Sequence, residues 1–158
     1  MMEDGFREYN ARVVQASKCE LVVISYEFIL DLIQDAERAL EQNNKELFEE
    51  KVKKTQKVLK TLINSLDFCY DISRNLMSLY IYTNQQLVYA LFSYNDIYLK
   101  NAEKILDILL AGWMGVCDDE ESNPLITNAQ KLYAGLTYGK KSLNETILND
   151  SESRGLKA

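Results

Sequence analysis

Apolar residues recur at steps of three and four along most of this chain, the spacing of one face of a helix. Proline occurs once, at Pro124, and there are six glycines, so little punctuates those runs. Ser17-Lys18-Cys19-Glu20 has the S-x-x-E spacing of a capping box, which predicts a helix from about 18 to 41 that stops in Gln42-Asn43-Asn44. Phe48, Val52, Thr55, Leu59, Leu62 and Leu66 predict a second, over about 44–68. Glu49→Lys53 and Glu50→Lys54 support its outer face as i,i+4 pairs. A third is expected over about 72–93 and a fourth over about 96–115, capped by Asn95 or Asp96. An extra turn is expected near 5–15.

Four helices with short connections predict an all-α fold, an antiparallel four-helix bundle with a short N-terminal segment and a C-terminal tail. The bundle domain is placed at 1–116, followed by an acidic linker at 117–124 and a tail at 125–158. The tail is weakly amphipathic, is interrupted by Gly135 and Gly139, and is expected to hold one or two short helical turns.

Two helices carry more apolar surface than one core stripe requires. In the first long helix Leu21, Val22, Tyr26, Phe28, Ile29, Leu32 and Ile33 form the stripe. Val23 and Leu30 fall outside it, and Ile24 stands among charges. In the 72–93 helix the core stripe is Ile72, Leu76, Leu79, Thr83, Leu87 and Ala90, and Met77, Ile81, Val88 and Phe92 form a second on a neighbouring face. Burying one such side chain stabilises by about 1.5–3 kcal/mol, so four left in water need an explanation. One explanation is that the helix is central and the chain's own termini cover it. The other is a groove of Val23, Leu30, Met77, Ile81, Val88 and Phe92 that receives a helical client. Methionine and aromatic side chains suit such a surface because they adapt to imperfect partners. Ten tyrosines are present, and most are expected to pack in the bundle with their hydroxyls reaching water.

Composition narrows the chemistry. The formal charge is −6, which repels phosphate backbones and argues against nucleic acid. Histidine is absent, which removes histidine bases, Ser-His-Asp triads and imidazole metal sites. No phosphate-binding glycine loop, Cys-x-x-Cys or metal spacing is present, so no cofactor and no enzymatic activity are expected. Asp67 and Asp71 form the nearest carboxylate pair at a helix junction, and Asp67 is expected to accept from nearby backbone N–H groups or a lysine. Cys19, Cys69 and Cys117, an odd and widely spaced set, are expected to be reduced thiols, with Cys19 small, buried and inert. No signal peptide and no run of about 20 apolar residues is visible, so a cytoplasmic protein without membrane insertion is expected.

Four segments, in order, resemble the flagellin export chaperone family, the FliS family. Ala16-Ser17-Lys18-Cys19-Glu20-Leu21-Val22-Val23-Ile24-Ser25-Tyr26-Glu27 is similar to that family's opening A-S-P-x-x-L, apolar run, Y-D/E. Gln56–Leu62 leading into Ser65-Leu66-Asp67 resembles its second helix. Ile72-Ser73-Arg74-Asn75-Leu76-Met77-Ser78-Leu79-Tyr80-Ile81-Tyr82 resembles I-A-x-N-L-x-x-L-Y-x-Y, and Leu106, Leu109 and Trp113 resemble the L-x-x-L-x-x-x-W ending. Lys18 replaces the usual proline, and Cys69-Tyr70-Asp71 fills a turn where many members carry a glycine pair.

The resemblance implies a helical bundle that holds the disordered C-terminal segment of flagellin in apolar grooves. It implies that the bundle prevents premature polymerisation and delivers its cargo to the type III export gate. It further implies as partners an export-gate membrane protein and an anti-sigma factor. An N-terminal segment that occupies part of the groove, and a docking tyrosine matched here by Tyr9, belong to the same implication. A regulator of the same pathway with a different client is the alternative, and a plain oligomer paired through the 72–93 helix is a third reading. The tail residues Tyr133, Leu136, Tyr138, Leu143, Ile147 and Leu148 are expected to be able to fold back over the groove as a competitor.

Overall fold

The computed structural model describes residues 2–122, with side chains placed from Arg7 to Asp119. Within them the chain forms five helices: α1 (Met2–Gln15), α2 (Lys18–Glu41), α3 (Lys45–Asn64), α4 (Asp71–Ser93) and α5 (Asp96–Ser122). No strand occurs among the described residues. The tail expected over 125–158, its helical turns, its return over the groove and the last part of the linker lie outside them.

Local chemistry sets the helix ends. The Ser17 hydroxyl accepts from the Glu20 N–H at 3.2 Å, and the Glu20 carboxylate accepts from the Ser17 N–H at 3.1 Å, which completes the capping box. The Ser17 backbone N–H, and after it the Ser17 side chain, favours the ionised Glu20 carboxylate and holds it below the usual glutamate range. Ser17→Ala should cost about 1 kcal/mol, read as a lower urea midpoint with an unchanged slope. Asn44 caps α3 through the Leu47 N–H, and Asn95 accepts from the Ile97 N–H at the start of α5.

Two expected boundaries move. The second predicted helix ends at Asn64 rather than 68, because residues 65–70 satisfy one another as a turn. Asp67 Oδ1 accepts from the Cys69 N–H at 2.9 Å, and the Ser73 hydroxyl donates to the Asp67 carbonyl at 2.6 Å. Asp67 thus bonds to backbone, as the sequence suggests. At the other end α5 runs to Ser122, so residues 117–122 of the expected linker are helical. Cys117 is buried there and Val116 packs against the core, which gives that stretch a reason to stay folded.

α2 packs between α3 and α5, and α4 closes the set by packing on both. The α3–α4 seam is the loosest of the four. α2 and α4 face each other across the middle, where the Tyr26 and Tyr80 hydroxyls share a hydrogen bond of 2.5 Å between rings with no exposed surface to speak of. Those two hydroxyls meet each other between buried rings, an exception to the pattern expected of most of the tyrosines. The core also holds Ile29, Ile33, Phe48, Leu59, Leu87, Leu99, Leu106 and Trp113. On α5 Leu99, Ala102, Leu106 and Trp113 are buried, and Tyr98, Ile105 and Leu109 lie at the margin of that stripe. Lys51 is buried beside α2, with its ammonium 2.9 Å from Asp35.

The cysteines depart from expectation. Cys19 and Cys117 form a disulfide, with Cα atoms 5.8 Å apart and 98 residues between them in sequence. The start of α2 and the end of α5 meet at one end of the ring, a neighbourhood that spacing along the chain does not reveal. Cys69 is a free, exposed thiol.

Candidate functional site

α1 packs on the outer face of α2, with Arg12 and Gln15 near the end of α5, and contacts of Tyr9 and Arg12 hold it. The Tyr9 hydroxyl donates to Asp31, and its ring meets Phe28 edge-on with centroids 5.2 Å apart. Partial burial, then the bond to Asp31, pushes the Tyr9 hydroxyl well above the usual tyrosine range. Arg12 pairs with Glu27 at 2.6 Å. Val13 and Val14 of α1 face water, the latter 83% exposed. Arg12, Gln15, Val23, Ile24 and Met114 share one cavity of about 360 Å³ at the α1–α2–α5 junction. Ile24 is buried there despite its charged neighbours in sequence.

Packing mainly against α2 makes α1 a separable element. Tyr9→Ala removes a ring pair worth about 0.5–1.5 kcal/mol and a bond to a carboxylate. Amide exchange through α1 should then speed up at least about tenfold, while α2 to α5 keep their protection.

The six residues expected to line one groove fall into two groups. Val23 and Leu30 are each 9% exposed and belong to the core cluster. They looked surplus in sequence because α2 is covered on three sides, by α3, α5 and α1, and so needs apolar residues beyond a single stripe. They do not share a surface with the α4 residues, since α2 and α4 sit diagonally across the ring. On α4, Ile81 is 45% and Phe92 87% exposed, and Met77 and Val88 are half-buried. At 100° per residue these four span about 60° of arc. They border α3, since Asn84, on the same flank, accepts from the Gln56 side-chain amide at 3.0 Å.

This leaves an apolar strip along the loosest seam, open to water and without a protein partner among the described residues. Its floor is firm, because Leu76, Tyr80, Thr83 and Leu87 behind it are buried. A surface of this kind can bind an amphipathic helix or extended chain by burying apolar area. Among the described residues there is no cluster of three metal-ligating His, Cys, Asp or Glu side chains. No described helix is long and apolar enough to cross a membrane.

Of the buried polar residues, the sequence pattern placed Thr55 and Thr83 in core stripes and missed Ser73, Gln86 and Lys51. Thr83 donates back to the Leu79 carbonyl at 2.8 Å, and Gln86 accepts from Asn101 of α5 at 3.0 Å. A polar residue in register with Leu76, Leu87 and Ala90 was the available signal.

A comparison with curated proteins found no match. A comparison with protein families matched residues 4–120 to the family described as Flagellar protein FliS. The match spans all five helices, from within α1 to near the end of α5. The chain belongs to the FliS family of flagellar proteins.

Proposed function

We propose that this protein is a cytoplasmic export chaperone of the flagellar system, built as an antiparallel four-helix bundle with α1 as an added lid. Its client is the C-terminal segment of flagellin. The observation that carries this reading is the apolar strip of exposed Ile81 and Phe92 with half-buried Met77 and Val88 on a firm helix of a FliS-family chain. A disordered segment that folds on binding loses conformational entropy, and a continuous apolar contact offsets that loss. Covering the segment keeps it from polymerising early, and handover to the export-gate membrane protein releases it. Recognition by shape and apolar area needs no catalysis and no cofactor.

α1 adds control in this reading. Tyr9 is latched to Asp31 and Phe28, so a docking partner that engages Tyr9 must first open α1. Opening uncovers Ile24 and the cavity beside Val23, which extends the apolar surface at one end of the bundle. An anti-sigma factor is a further partner under this proposal. The alternative is a regulator of the same pathway with a different client.

The test is a calorimetric titration of the full chain with the C-terminal 40 or so residues of flagellin from the same cell. Tight binding with a large negative heat-capacity change supports the chaperone reading. No binding, with intact helicity, overturns it in favour of the regulator.

A further inference from the structure

A second apolar face lies on the opposite flank of α4, along its seam with α5. Ile108 is 69% exposed and Ile97 50%, and Tyr89 of α4, 50% exposed, has its ring 5.5 Å from that of Tyr98, next to Ile97 in the chain. The Gln86–Asn101 hydrogen bond joins the two helices beneath this face. Ile97, Asn101, Ile108 and Gly112 fall within about 60° of arc on α5. Beyond Gly112 there is open space, so another backbone can approach closely.

We propose that this face is covered by the chain's own C-terminal segment, residues 125–148, returning along α5. Reach is the first argument. α5 ends at Ser122, and 36 residues follow. Ile108 is 14 residues back along α5, about 21 Å of helix, so a segment turning at 123–124 passes it with chain to spare. Pattern is the second argument. Leu125, Leu132, Leu136 and Leu143 are spaced by 7, 4 and 7, which places them on one face of a helix. Charge is the third, and it favours the tail over a second copy. Residues 1–122 hold 21 acidic and 13 basic side chains, so two bundles repel each other. Residues 123–158 hold 5 basic and 3 acidic, and 125–144 hold three lysines and no acid, so the tail is attracted. The flank differs from the α3–α4 strip, so the proposal does not rest on what that strip binds.

The experiment uses the full chain with the photo-crosslinking residue benzoylphenylalanine at position 108, an exposed site where a large ring disturbs no core contact. Expected are crosslinks within one chain to a peptide from 125–148, in a yield independent of protein concentration. Leu136→Asp, which changes none of the core residues of α2 to α5, should cut that yield at least fivefold. The same substitution should speed tryptic cleavage after Lys131 and Lys140 at least tenfold. Crosslinks between chains that grow with concentration overturn the proposal in favour of a second copy. A yield and a cleavage rate both unchanged by Leu136→Asp overturn it as well.

Discussion

Replacing Ile81 and Phe92 together by aspartate should weaken binding of the flagellin C-terminal segment at least about a hundredfold. Each side chain buried by a client contributes roughly 1.5–3 kcal/mol, so losing two removes 3 kcal/mol or more, and every 1.4 kcal/mol is a factor of ten. Aspartate adds the cost of desolvating a charge against an apolar partner. The fold should be nearly untouched, within about 0.5 kcal/mol, because Phe92 is 87% exposed and Ile81 45%. That separation is what makes the pair informative. Val23→Asp or Leu30→Asp, by contrast, puts a charge into the core cluster and should unfold the protein. Calorimetry and far-UV circular dichroism on the same samples read both effects. If binding survives the double substitution at full strength, the client lies elsewhere on the molecule and the α4 strip is not its site.

The second large effect is on stability. Reducing the Cys19–Cys117 disulfide should lower the free energy of unfolding by about 3–4 kcal/mol. Joining two residues 98 apart removes loop-closure freedom from the unfolded chain, and a loop of that size lies near the upper end of the expected range. The folded state loses little, since both sulfurs stay buried at the α2–α5 contact. Urea unfolding with and without dithiothreitol measures the difference. Cys69→Ser should change neither curve, because that thiol is free and exposed. A bundle that remains folded after reduction suits work in a reducing cytosol, and one that unfolds would place the protein in an oxidising compartment. Curves that coincide would mean the bond does not form in solution.

Much of this was legible in the sequence because the governing rules are local. The capping box at Ser17 and Glu20 set the start of α2 to the residue, since both partners lie three positions apart. The second stripe on α4 was visible because the helix keeps one period throughout, and about four of its turns show Met77, Ile81, Val88 and Phe92 in file. What failed depended on neighbours distant in sequence. Val23 and Leu30 read as surplus because the number of helices around α2 is a tertiary fact. Cys19 and Cys117 read as separate for the same reason. On α5 several stripes compete, since Tyr98, Ile105 and Leu109 are as apolar as Leu99 and Leu106, and only the position of α2 and α4 decides which side turns inward.

The link between the first turn of α2 and the last turns of α5 has a mechanical consequence. Force applied to either terminus of the oxidised chain reaches Cys19 or Cys117 and then crosses the sulfur bridge directly. Helices α3 and α4 lie wholly inside the closed loop and carry none of that tension. A motor that threads proteins through a narrow pore by pulling on an end could strip α1 or the segment beyond Cys117, and would then meet a doubled strand it could not linearise. Oxidised molecules would stall at such a pore, and reduced ones would pass.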